Sequence, residues 1–206
     1  VKIKTLFMLS PILLGIGSLP AAAAPAPISA NPAEVKAGTY VLDPNHGKIT
    51  WSLNHLGFST YTGQFSHVTG NLVLDPEHIA RTTLEATVDI GSIGTLNPTL
   101  DQELKGDKFF NEAANPTAVF KSTKVQRTGS KTADVTGDLT LMGVTQPVTL
   151  SVVFNQGGTN PISNTYEIGF EGHTKIKRSE FGLKAFVPYV GDEVTLDLEG
   201  EFDLKS

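Results

Sequence analysis

The stretch VTGDLTLMGVTQPVTL, Val135 to Leu150, constrains the fold more than any other part of the chain. Val135, Gly137, Leu139 and Leu141 alternate with Thr136, Asp138, Thr140 and Met142, the period of two of a strand whose faces meet different surroundings. Gly143 interrupts, and Gln146-Pro147 leads into Val148, Leu150, Val152 and Phe154, again apolar at every second place. This is the pattern of a β-hairpin. An antiparallel sheet follows, and the question becomes what covers its dry face: another sheet, a helix or a ligand.

The same period recurs along most of the chain. Ile49, Trp51 and Leu53 alternate with polar neighbours, residues 65–74 run as a strand into the turn signal Asp75-Pro76, and Leu84, Ala86, Val88 and Ile90 form a third. Residues 118–127 and the set Tyr166, Ile168, Phe170 and Thr174 continue it. The last strand sets Val194, Leu196, Leu198, Gly200, Phe202 and Leu204 against Thr195, Asp197, Glu199, Glu201 and Asp203. Its carboxylates share the solvent face, where they blunt a strand edge. Only PTLDQELKGDKFF breaks the period: Leu100 and Leu104, with Thr99 as candidate N-cap and Asp101 and Glu103 in the first turn, predict one short helix before Gly106. The expectation is an all-β domain of about eight strands with one helical insertion. Alternation alone fits a sandwich or a closed barrel. The long final strand and the in-strand glycines Gly137, Gly169, Gly172 and Gly200 favour the barrel.

The N-terminal residues predict the compartment. Lys2 and Lys4, an uncharged run from Leu6 to Leu19 and then Ala21 to Ala24 have the layout of a secretory signal peptide, expected over residues 1–23. The run is shorter than the roughly 20 residues of a spanning helix and carries Pro11, Gly15 and Gly17. Residues 24–38 are rich in Pro and Ala and are expected to be a disordered lead, leaving a domain over residues 39–206. The expected location is the periplasm. The formal charge is -5, so nothing supplies the basic excess of a nucleic-acid binder. With no Cys, disulfides, thiolate metal sites and Cys nucleophiles are excluded.

At GDLTLMGVTQPVTL the chain resembles the YceI-like family, whose signature reads GDLTLxGVTxPVTL. HGKITWSLNHLGFSTYTGQF, DKFFNEAANPTAVFKSTKV and GFEGHTKIKRSEFGL are similar to further family segments, in the same order. The resemblance implies an exported, lipocalin-like barrel of eight antiparallel strands that holds a polyprenyl phosphate, polyprenyl quinone or fatty-acid-derived amphiphile. The sequence departs from the family pattern at two places. Leu100-Asp101-Gln102-Glu103-Leu104 stands where many members have Arg-Asp-x-His-Leu, and Asn115 replaces a Tyr. Any contact that those Arg and His side chains make with an anionic head group is in doubt here.

Catalytic and metal chemistry find little footing. The five histidines show no His-x-His or His-Glu-x-x-His spacing, and no Gly-x-Ser-x-Gly elbow appears, so no catalytic residue, metal site or cofactor is assigned. The expected ligand-contact residues are Trp51, His55, Phe58, Phe65, Phe120, Phe170 and Phe202, because aromatic side chains at inward positions line cavities as readily as they fill cores. Lys177 and Arg178, near a strand end, are the candidates to meet an anionic head group or the membrane surface. The expected role is a non-enzymatic carrier or store of isoprenoid lipid. The alternative is a stress-related interaction barrel whose cavity is packed shut, and a homodimer is left open.

Overall fold

The computed structural model describes residues 26–205; the expected signal peptide lies outside the described residues. Eleven strand segments are described: β1 (Gly38–Leu42), β2 (Lys48–His55), β3 (Ser59–Phe65), β4 (Val68–Leu74), β5 (Thr83–Asp89), β6 (Ile93–Gly94), β7 (Thr117–Arg127), β8 (Thr132–Leu141), β9 (Val144–Thr159), β10 (Tyr166–Lys177) and β11 (Val190–Leu204). One α-helix, α1 (Pro98–Lys105), lies between β6 and β7.

The segments form eight antiparallel strands. β1 and β2 both pair with β11, β4 with β1 and β3 with β2, β5 with β4 and β6 with β3. Each of β1–β2, β3–β4 and β5–β6 is therefore one strand broken in the middle. Every strand then pairs with its neighbour in sequence, and β1 closes on β11. The result is an up-and-down barrel, which the in-strand glycines favour and the resemblance implies, and closure removes the exposed edges an open sheet would present. The three breaks sit side by side: residues 43–48 fall between the pairs Val41–Asn71 and Ile49–Phe65 and so face the break between β3 and β4, and Asp89 N, at the third break, donates to His67 O at 3.0 Å.

The opening hairpin has the predicted alternation and a tighter turn. Val135 faces Leu150 and Leu141 faces Val144, so only Met142 (φ 51°) and Gly143 (φ 75°) turn the chain. Positive φ at both central residues is the conformation that matches strand twist. Pro147, expected in the turn, lies inside β9 opposite Asp138. It is tolerated because the β9–β10 ladder begins only at Ser151, leaving that flank of β9 without a ladder to interrupt.

Two apolar clusters fill the barrel at different heights. At the end holding the chain terminus, Val35, Tyr40, Leu42, Val68, Leu72, Leu74, Phe154, Ile168 and Phe202 form a solid floor. Burial pushes the Tyr40 phenol up, and its hydroxyl donates to Lys36 O at 2.7 Å. The lead is not a disordered segment over its described part. Ser29 and Gly157 exchange backbone hydrogen bonds at 2.8 and 2.9 Å, a single turn forms at Pro32–Glu34, and Val35 enters the floor. The other cluster, around Trp51, Phe65, Phe120 and Phe181, surrounds a cavity.

Candidate functional site

The cavity measures about 410 Å³ and occupies the end of the barrel that carries α1 and the β10–β11 connection. Strand parity builds its wall. Ile49, Trp51, Leu53 and His55 are alternate residues of β2, and all four line it. The flanking strands add Tyr61 and Phe65 of β3 and Val194 and Leu196 of β11, and Leu139 and Leu141 of β8 and Ile176 of β10 line it from further round the barrel. Gly63, between Tyr61 and Phe65, faces Trp51 across the ladder and leaves room for its indole. The indole stacks on Tyr61 at 6.4 Å, and the Tyr61 ring lies 6.0 Å from His55. Trp51 Nε1 is buried without a hydrogen-bond partner among the described residues.

The insertion forms the lid. Asn97, not Thr99, caps α1, because Pro98 takes the first helical position and the Asn97 side chain accepts from Thr99 N and Leu100 N. Asp101 ties the helix start to the end of β6 by accepting from Thr95 N at 2.7 Å and Thr95 Oγ1 at 2.6 Å. Beyond Gly106 the chain folds back, with Phe110 N donating to Leu104 O at 3.0 Å. The Asn115 side chain bonds Phe110 O and Asn111 O, so the residue that departs from the family pattern closes this loop. Leu100, Leu104, Phe109 and Phe110 thereby cover the cavity, Phe110 edge-on to Phe65 at 5.9 Å and Phe109 against Phe186 at 6.2 Å.

Arg178 is the one Lys or Arg in the wall. It is 7% exposed, and its guanidinium donates to Gly191 O at 2.8 Å, Leu183 O at 2.7 Å and Val190 O at 2.9 Å. Burial lowers its pKa, partly offset by Asp192, whose carboxylate accepts from Ser179 N and Oγ. The arrangement clasps the ends of the connection that shapes the mouth. Glu103, from α1, also lines the cavity and lies 3.7 Å from Lys108. At the two positions where the chain departs from the family pattern's Arg and His, it presents Leu100 and Glu103 to the cavity.

The structure brings only some of the expected contact residues together. Trp51, His55 and Phe65 line the cavity. Phe58 does not; it stands 90% exposed at the hairpin tip. Phe120 is buried below the cavity, its ring against Gly137. Phe170 and Phe202 belong to the floor, where Phe170 packs edge-on between Phe154 at 5.5 Å and Phe202 at 6.1 Å. Lys177 is exposed on the outer face, opposite Glu193. Sequence reasoning missed Leu183 and Phe186 and the lid residues as cavity lining; the i, i+4 spacing of Leu100 and Leu104 was the available signal. Among the described residues no cluster of His, Cys, Asp and Glu is arranged to hold a metal ion.

Known proteins share this architecture. A "UPF0312 protein" of Pseudomonas paraeruginosa is 34% identical over 170 residues, covering 82% of this chain and 88% of that protein. The crystal structure of BcnA from Burkholderia cenocepacia superposes with a TM-score of 0.71 at 24% identity, covering 78% of this chain and 98% of that one. A polyisoprenoid binding domain from Saccharophagus degradans, implicated in plant cell wall breakdown, gives 0.61 at 16% identity over 82% of this chain and 100% of its own. At those identities the two structures attest the fold. Residues 40–202 match the YceI-like domain as a whole, and with the closed eight-stranded barrel and its helical lid this chain belongs to the YceI-like family.

Proposed function

We propose that the protein binds a polyisoprenoid lipid, or a similar long-chain amphiphile, in the cavity above the floor and carries or stores it in the periplasm. One observation carries the reading: the lining is aliphatic and aromatic almost throughout, with His55, Glu103 and Arg178 as its polar exceptions. Such a wall recognises hydrocarbon by area and shape. Burial contributes about 0.8 kcal/mol per CH2, so some 12 buried carbons give roughly 10 kcal/mol before the costs of binding. No activated group is needed for that. Chain length is discriminated weakly, at about 1–3 kcal/mol per methylene. The description of the Saccharophagus relative as a polyisoprenoid binding domain supports the same class of ligand.

Native mass spectrometry of protein purified from its host tests the reading. A copurified long-chain lipid is expected, together with its loss from Ala118→Phe, which places a ring in the cavity from a lining position. Repeated recovery of an empty barrel that also fails to take up an added polyprenyl phosphate or quinone would overturn it in favour of an interaction barrel.

A further inference from the structure

Two neighbouring loops at the cavity end of the barrel hold large apolar side chains in solvent. Leu56 and Phe58 belong to the β2–β3 turn, and Phe186 and Tyr189 to the β10–β11 connection; they are 48%, 90%, 52% and 73% exposed. The two loops make one surface, because Leu56 N donates to Tyr189 O at 3.1 Å and His55 pairs with Val190. Leu56 (φ 58°) and Phe186 (φ 62°) hold left-handed backbone, which is unusual for bulky residues. Phe186 is half exposed and also lines the cavity, so apolar surface runs unbroken from the outside to Leu183 and Val190 within.

The two loops of the rim carry no acid of their own. Residues 55–60 and 184–190 contain no carboxylate, in a chain with a net charge of -5. Lys184 is exposed beside them, and the Lys108 ammonium lies 4.0 Å from the centre of the Phe186 ring. Acids flank the patch: Glu103 lies 3.7 Å from Lys108, Asp101, Asp107 and Glu112 are on the lid side, Glu180 is on the turn after β10, and Asp192 and Glu193 follow Val190.

We propose that this rim docks on a lipid bilayer, with Leu56, Phe58, Phe186 and Tyr189 entering the interface and Lys108 and Lys184 facing anionic head groups. Aromatic rings beside lysines are the composition of a membrane–water interface. A bilayer also suits the position of the patch, since contact there joins the hydrocarbon to the cavity lining, whereas a second copy or a protein partner would cap the opening. The purpose of docking rests on the cavity holding lipid; the docking itself is measured without that ligand.

The experiment is flotation with phosphatidylcholine vesicles, with and without phosphatidylglycerol, and with no isoprenoid present. The wild-type protein is expected to float with both and more strongly with the anionic vesicles. Phe58→Ser with Tyr189→Ser is expected to lower partitioning by about tenfold or more. Ile162→Ser, which removes an equally exposed apolar side chain from the β9–β10 connection at the floor end, is expected to change nothing. Wild-type protein that floats with neither vesicle, or a double variant that floats as well as wild type, overturns the proposal. So does a concentration-dependent dimer that the double variant abolishes while flotation stays absent, which assigns the rim to a second copy. Vesicle binding by a barrel that takes up no isoprenoid would instead overturn the functional reading and leave docking in place.

Discussion

A Cβ on Gly63 would overlap the indole of Trp51, the residue directly opposite it across the β2–β3 ladder. The wall is too close there for any side chain, and Gly94 O lies 2.9 Å from the same point. Gly63→Ala is therefore expected to destabilise the barrel by about 1–3 kcal/mol, the usual cost of overpacking. Urea unfolding followed by the emission of Trp51, the single Trp of the chain, measures it. A change below about 0.5 kcal/mol would show that the indole moves freely.

Removing the Arg178 clasp should loosen the mouth before the floor. Arg178→Met takes three charged donors from Gly191 O, Leu183 O and Val190 O and leaves those carbonyls to find water. A loss of about 2–4 kcal/mol is expected in chemical denaturation. Hydrogen exchange should quicken in residues 178–191, while the amides around Ile168 and Tyr40 keep most of their protection. Uniform acceleration across both clusters would contradict the separation.

Glu103 is expected to set a charge preference. Its carboxylate lines the cavity where an anionic head group would otherwise meet little negative charge. Glu103→Gln is expected to tighten binding of a polyprenyl phosphate by roughly two- to fivefold, as expected for one partly screened charge, and to leave a neutral polyprenol unchanged. Equal effects on both ligands, followed by titration against Trp51 fluorescence, would rule out an electrostatic role.

The floor end predicts a stability maximum at mildly acidic pH. Burial, and then Glu167, Asp43 and Glu201, raise the Asp203 carboxyl, while a hydrogen bond to Asp43 and the charge of Glu201 raise His46. A raised pKa means that the folded state holds the proton more tightly, so each contribution is full below the unfolded value and is lost as pH rises through the folded one. For His46 the loss falls above about pH 6.5, and for Asp203 above about pH 4. Asp43, Asp75 and Glu34, and Asp192 at the mouth, are lowered, the first chiefly by the Asn45 backbone N–H, and their contributions disappear as pH falls below the usual carboxylate range. Tm should therefore rise from about pH 8 to pH 6 and fall below about pH 4. Asp203→Asn should raise Tm at about pH 7 by roughly 1–2 °C and lose that gain near pH 4.

Strand parity carried most of what the sequence revealed. Alternation in β2 identified Ile49, Trp51, Leu53 and His55 as one inward row, and each lines the cavity. The same alternation put Asp197 and Glu199 on the outer face, where both are exposed. Parity reports in or out and says nothing of height along the barrel. Phe65 and Phe202 are both inward, yet one touches the cavity and the other the floor. Phe58 failed for a related reason, since the turn at Leu56 and Gly57 ends the alternation before it. Arg178 and Lys177 show the reverse case: adjacent in sequence, they take opposite faces, and only the inward one meets the cavity. The lid stayed hidden because a tight turn after α1, and not a periodic pattern, brings Phe109 and Phe110 over the opening.

The solid floor makes the barrel a ruler. Tyr40, Ile168 and Phe202 are 0%, 1% and 8% exposed, so an occupant cannot thread through to the far end. Any chain too long for the 410 Å³ above them must leave its remainder outside, beside Phe186 at the mouth. For an occupant of the proposed kind, capacity would be set by residues beneath the cavity, and trimming Phe202 or Phe170 is expected to lengthen the gauge without altering the entrance.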